Sequence, residues 1–241
     1  MVITACLCPW PPILVRDLTG RDPVIPGLRQ ACRTAVRRLV DAQPELIVVA
    51  GPAESTRTWD QASRLDPGVF APALSSDDDR LQSDGRRDPA LPPSLGLGAL
   101  LLDEAGYSGP RILQAVADDE PVDACSRLGS GLSDRTTRTG MLVMGDGSAR
   151  RDPRAPGHLH PQAAAFDAAT ERAMRRGDLR ALLDLPPALA RELMATGRPV
   201  WQVLAGAMLP QVPAADILYA GAPFGVGYIV AFLQVAMFTG C

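Results

Sequence analysis

Residues 27–50 read GLRQACRTAVRRLVDAQPELIVVA, and this stretch decides the fold. Within it Leu28, Ala31, Cys32, Ala35, Val36, Leu39 and Val40 recur at three- and four-residue spacing, the period that lines one face of an α-helix. The spacing predicts a helix over 27–42. After Pro44 the pattern changes to the continuous apolar run ELIVVA at 45–50, closed by Gly51, as expected of a strand covered on both faces. Upstream, residues 1–8 are short, apolar and β-leaning, and Pro9, Pro11 and Pro12 stop them. Strand, helix, strand implies a parallel βαβ unit. Arg29, Arg33 and Arg37 stand one turn apart on the outer face of the helix, either as a solvated face or as a place for an anion.

The same rhythm continues outward from this unit. Helices are expected over 94–105, 161–176, 179–183, 187–196 and 199–208, with a short helix start at 123–128. Strands are expected at 111–117, 140–144, 217–220 and 227–235. Between them, residues 54–93 form a long polar excursion holding SSDDDR at 75–80 and several prolines. The flanking patterns continue across it. The expectation is one α/β domain over 1–241, with a mostly parallel or mixed central sheet flanked by helices.

Composition bounds the function classes. Hydrophobic residues make up 46% of the 241-residue chain and charged residues 21%, enough for a buried core. The 24 basic and 27 acidic side chains leave a net charge of −3, which argues against a nucleic-acid partner, since phosphate affinity needs clustered positive charge. Five cysteines, Cys6, Cys8, Cys32, Cys125 and Cys241, make an odd set without a CxxC pair, pointing to reduced thiols and a cytoplasmic location. The 25 residues from Ile217 to Cys241 carry no charge. Gly221, Pro223, Gly225 and Gly227 interrupt them, so two buried strands around a turn are expected rather than a membrane span.

Catalytic side chains are few. The chain has two histidines, His158 and His160, within APGHLHPQ. Flanked by Pro156, Gly157 and Pro161, they belong to a surface loop, or else form two ligands of a metal site awaiting a third. No GxSxG, Walker or GxGxxG motif is present. More informative is Gly145-Asp146-Gly147-Ser148 after an apolar strand, because open α/β sheets place ligands at the carboxyl ends of strands. Taken alone, it is equally a strand-to-loop turn.

CPWPP at 8–12, VVAGP at 48–52, VMGDGSARRDPRAPGHLHPQAAAFDAA at 143–169, WQVLAGA at 201–207 and LYAGAPFGVGYIVA at 218–231 together resemble the actinobacterial branch of the class III extradiol dioxygenase-like superfamily. Its members are relatives of the protocatechuate 4,5-dioxygenase β subunit and of Memo-type proteins. The resemblance covers both ends of the chain and is weakest over 54–93. It implies an α/β fold, common oligomer formation, and ferrous iron held by two histidines and a glutamate, with a further histidine after a Gly-Asp-x-Ser motif as acid/base. At the first ligand position this chain has Trp10-Pro11, and at the second Gly51-Pro52-Ala53 with Glu54 beside it. The acid/base position after Ser148 is Ala149. Neither an indole nor a methyl group ligates iron or moves a proton.

Two functions follow as expectations. The first is a degenerate, non-catalytic member without a metal cofactor. Its cleft, built from Trp10, Pro11, Gly51, Pro52, Glu54, Gly145, Asp146, Gly147 and Ser148, binds a small molecule or a partner protein. The second is a dioxygenase-like oxidoreductase that has moved an Fe2+ or Zn2+ site to His158 and His160 with a carboxylate such as Asp146 or Asp152. Homo-oligomer formation is compatible with either; nucleic acid and membrane are not expected partners.

Overall fold

The period-two alternation of the central strands sends successive side chains to opposite faces of one sheet, and each face meets its own layer of helices. The computed structural model describes residues 1–15, 25–59 and 91–236. Its strands are β1 (Val2–Cys8), β2 (Leu46–Ala53), β3 (Arg57–Trp59), β4 (Arg111–Ala117), β5 (Thr139–Met144), β6 (Ala214–Gly221) and β7 (Tyr228–Gln234). The helices are α1 (Pro26–Asp41), α2 (Pro93–Glu104), α3 (Val122–Ser133), α4 (Ala163–Arg175), α5 (Leu179–Leu183), α6 (Pro187–Glu192) and α7 (Arg198–Met208). On β1, Ala5 and Leu7 join the core under α3 to α7, whereas Cys6 and Cys8 join the core under α1 and α2. Coverage on both faces is why LIVVA at 46–50 is apolar throughout.

The seven strands lie in the order β3-β4-β2-β5-β1-β7-β6. The inner four, β4-β2-β5-β1, are parallel. β3 joins β4 antiparallel, and the β7–β6 hairpin joins β1 antiparallel. The fold is therefore α/β with a mixed sheet. The parallel βαβ expectation holds for β1, α1 and β2, with β5 inserted between the two strands. α1 buries Leu28, Ala31, Cys32, Ala35, Val36 and Leu39 as its spacing predicts, while Val40 sits at the margin.

Several expectations need correction. The C-terminal apolar run does fold as strand, turn and strand, but only β7 is buried from Tyr228 to Leu233. β6 is an edge strand with Ala214, Asp216 and Ala220 exposed. The helix start expected at 123–128 runs on to Ser133 through Gly129 and Gly131. A Cβ on Gly129 would stand 2.0 Å from the Val203 carbonyl oxygen, and one on Gly206 2.2 Å from that of Ser126. Bare backbone is what lets α3 and α7 close on each other. The helix expected over 187–196 ends at Glu192. The polar excursion contains the short strand β3, and α2 begins at Pro93; residues 60–90, including the 75–80 cluster, lie outside the described residues, as do 16–24 and 237–241 with Cys241. Among the described residues no helix is long and apolar enough to cross a membrane.

Candidate functional site

Parallel strands end together, and here their carboxyl ends open a cleft. Trp10 follows β1, Pro52 and Ala53 close β2, Asp118 follows β4, and Trp59 ends β3. With Glu54, Ser55, Arg57, Leu91, Pro92, Pro93 and Thr196 they line a chamber of about 470 Å³. A second chamber of about 530 Å³ shares Ala53, Glu54, Asp118 and Thr196 and adds Asp119, Met194, Arg191 and Arg198. The first is walled by indole and proline rings. Its Trp59 ring carries the Arg57 guanidinium at 3.7 Å from the centroid, and the buried Trp59 indole N–H has no acceptor among the described residues. The second chamber is charged with both signs.

Trp10 is held at both ends. Its backbone N–H donates to Asp146 Oδ1 at 3.0 Å and its indole Nε1–H to Thr196 Oγ1 at 3.2 Å. Burial pushes the Asp146 carboxyl up to about 7, only partly opposed by the Trp10 N–H. Arg198, 1% exposed, donates to the Asp118 and Glu120 carbonyls and to Gln202 Oε1. Burial lowers its pKa and raises that of Asp118, the latter opposed by the nearby guanidinium.

The segment 145–148 does different work from that expected. Gly145 and Gly147 are glycines because of close approach: a Cβ on the first would stand 2.6 Å from Gly197 Cα, and on the second 2.7 Å from Asp167 Oδ1. The Gly147 N–H donates to the Gly227 carbonyl at 2.7 Å, and the Gly227 N–H to that of Ser148 at 2.8 Å. Asp167 on α4 accepts the Ser148 N–H at 2.8 Å and pairs with Arg151 at 2.9 Å. The Ser148 hydroxyl donates to the Leu193 carbonyl and accepts from the Arg150 N–H. Gly145, Gly147 and Ser148 thus tie β1, β7, α4 and the approach to α7 together without lining either chamber, and Asp146 reaches the cleft through Trp10 and through Gly197 beside Thr196. AAAFDAA supplies Asp167, which explains why the two segments belong together.

Of the other expected cleft residues, Trp10, Pro52 and Glu54 line the first chamber. Pro11 is not a lining residue; its carbonyl accepts the Leu14 N–H. Gly51 is buried in β2, where a Cβ would stand 2.5 Å from Ser94 Oγ. The histidines are not brought to the cleft. His158, with φ of 56°, places Nδ1 at 3.2 Å from the Pro153 carbonyl, and His160 Nε2 faces Glu192 Oε1 at 3.0 Å. Asp152 accepts the Arg154 N–H instead of joining them. Among the described residues no group of three or more His, Cys, Asp or Glu side chains is placed to hold a metal ion. The donor set does not fit iron held by two imidazoles and a carboxylate: Trp10 and Ala53 offer no ligand atom, leaving Glu54 and Asp118 as oxygen donors. Hydroxyls of Ser55 and Thr196 stand in the chamber with no imidazole lining it.

The sequence missed Arg57, Trp59, Asp118, Asp119, Arg191, Thr196 and Arg198. Asp118 and Asp119 follow a strand end directly, the same signal that drew attention to 145–148. Arg191, Arg198 and Thr196 reach the cleft through the packing of α6 and α7, and Arg57 through the pairing of β3 with β4, which leaves no local signature.

No family model matches the chain, and no curated protein matches it. Among solved structures, the crystal structure of an uncharacterized protein, JW3007, from Escherichia coli K12 superposes with a TM-score of 0.55 at 15% identity, covering 96% of this chain and 99% of that one. At that identity the likeness shows the α/β fold alone.

Proposed function

We propose that this chain is a class III extradiol dioxygenase-like protein that has exchanged ring cleavage for binding, and that its cleft takes a small, planar, largely apolar molecule. The observation that carries the reading is the wall itself: Trp10 and Ala53 stand at the strand ends where the resemblance calls for iron-ligating imidazoles. A chamber of about 470 Å³ is of the size that encloses small organic ligands, and indole and proline rings stack on planar groups. Charged groups of both signs at its margin would orient the ligand.

Elemental analysis of the purified protein, oxygen uptake with protocatechuate and simple catechols, and quenching of tryptophan fluorescence by a panel of aromatic acids test it together. The expected result is no iron above background, no ring-cleavage product, and saturable quenching that Trp10→Ala abolishes. Stoichiometric iron or zinc that disappears when His158 and His160 are both replaced by Ala establishes the relocated-metal function instead. Metal that survives that double replacement means the ligand positions have been placed wrongly.

A further inference from the structure

Two walls of the cleft hang from one residue. The Asp146 carboxylate accepts the Trp10 N–H at 3.0 Å, and the Asp146 carbonyl accepts the Gly197 N–H at 2.8 Å. Between those anchors the Trp10 indole donates to Thr196 Oγ1 at 3.2 Å, closing a three-cornered tie of which two corners line the first chamber. Trp10 follows β1 on a proline-rich segment, so its backbone N–H has no ladder partner and depends on this carboxylate.

Among the described residues no ion pair reaches the carboxylate. The titratable groups facing it are the Cys32 thiol of α1, held neutral by its hydrogen bond with the Cys8 thiol and by burial, and the Tyr228 phenol of β7, held neutral by burial. The segment after β1 contributes the Trp10 N–H. The rest of the 145–148 segment is engaged in scaffolding.

We propose that Asp146 is a positioning residue for Trp10, and that the gain or loss of its single charge tightens or loosens the indole wall of the cleft. A charged acceptor holds an N–H about twice as strongly as a neutral one. With no cation among the described residues paired to the carboxylate, the strength of the tie follows the protonation of this one group. Burial brings that protonation to about neutrality, so the wall is firm above neutral pH and looser below it. This holds whether or not the cleft has the ligand proposed above, because the tie is present in the free protein.

The test follows the Trp10 backbone amide and the Asp146 side-chain carboxyl carbon by nuclear magnetic resonance in the full chain from about pH 5 to about pH 9. Both signals are expected to move in one step with a common midpoint. Asp146→Asn, which keeps the acceptor but removes the charge, is expected to flatten the Trp10 amide profile. Thr196→Val, which cuts only the indole tie, is expected to leave the step in place. A Trp10 amide that does not titrate, that titrates with a midpoint different from the Asp146 carbon, or that keeps its step in Asp146→Asn overturns the proposal. The common-midpoint measurement uses wild type alone, so it decides the matter even where Asp146→Asn fails to fold.

Discussion

Replacing Asp146 by Asn should make the protein more stable in mildly alkaline solution than in mildly acidic solution, each relative to wild type. The native carboxyl titrates at about 7, against 3.8 for an unperturbed aspartate. A group whose pKa is raised on folding holds a proton in the native state that the unfolded chain has already released. Its stabilising contribution is complete below about pH 4 and is lost as pH rises through about 7. A difference of about 3 units at about 1.4 kcal/mol each sets the full swing at up to about 4 kcal/mol, of which about 3 kcal/mol falls between pH 5 and pH 8. Asn cannot ionise, so the variant escapes that loss while keeping an oxygen for the Trp10 N–H. Urea unfolding of both proteins at about pH 5 and about pH 8 measures it, because every other titrating group cancels in the difference. The expected change in ΔΔG between the two pH values is about 3 kcal/mol in favour of Asn at the higher one. A ΔΔG constant to within about 0.5 kcal/mol would refute the reasoning and place the Asp146 carboxyl in contact with water or a bound cation.

Asp167→Ala removes the acceptor of the Ser148 N–H and strands Arg151, whose side chain is 30% exposed. It should cost about 2–4 kcal/mol by chemical denaturation, and an unchanged midpoint would show that 145–148 holds itself. Leu39→Ala should cost about 2–5 kcal/mol in the same assay, since Leu39 is 0% exposed in the core under α1. Gly129→Ala gains about 1 kcal/mol of helix propensity, but its Cβ would meet the Val203 carbonyl oxygen at 2.0 Å. The net sign should be clearly destabilising; a stabilised variant would mean that α3 and α7 are not in contact.

Legibility in the sequence tracks the range over which the physics acts. α1 was readable because its burial is decided by one face at helical spacing, and β2 because coverage on both sides leaves an unbroken apolar run. The end of α3 was not readable. Gly129 lowers local helix propensity by about 1 kcal/mol, and the reason it is tolerated is the backbone of α7, some seventy residues later in the chain. β3 was lost for a related reason: three residues give no periodicity, and Arg57–Trp59 is a strand only because β4 pairs with it.

The cleft divides along the same line. A strand end is local and brought out the 145–148 segment, whereas Trp10, Pro52 and Glu54 came from the resemblance. Glycines at a strand end permit close approach, and sequence cannot say whether what approaches is a ligand or the protein's own backbone. Here Gly145 meets Gly197 and Gly147 meets Asp167. The motif is therefore a clasp, and what it clasps is the segment carrying Thr196 and the Asp167 carboxylate of α4. A clasp of this kind does not need the acid/base histidine that the resemblance places after it, so Ala149 can stand there, its N–H bound to the Leu193 carbonyl at 3.0 Å, without loosening the cleft. The side chains that line the cleft and the shape of the cleft are thus physically separable in this fold, since one depends on residues at strand ends and the other on backbone contacts behind them.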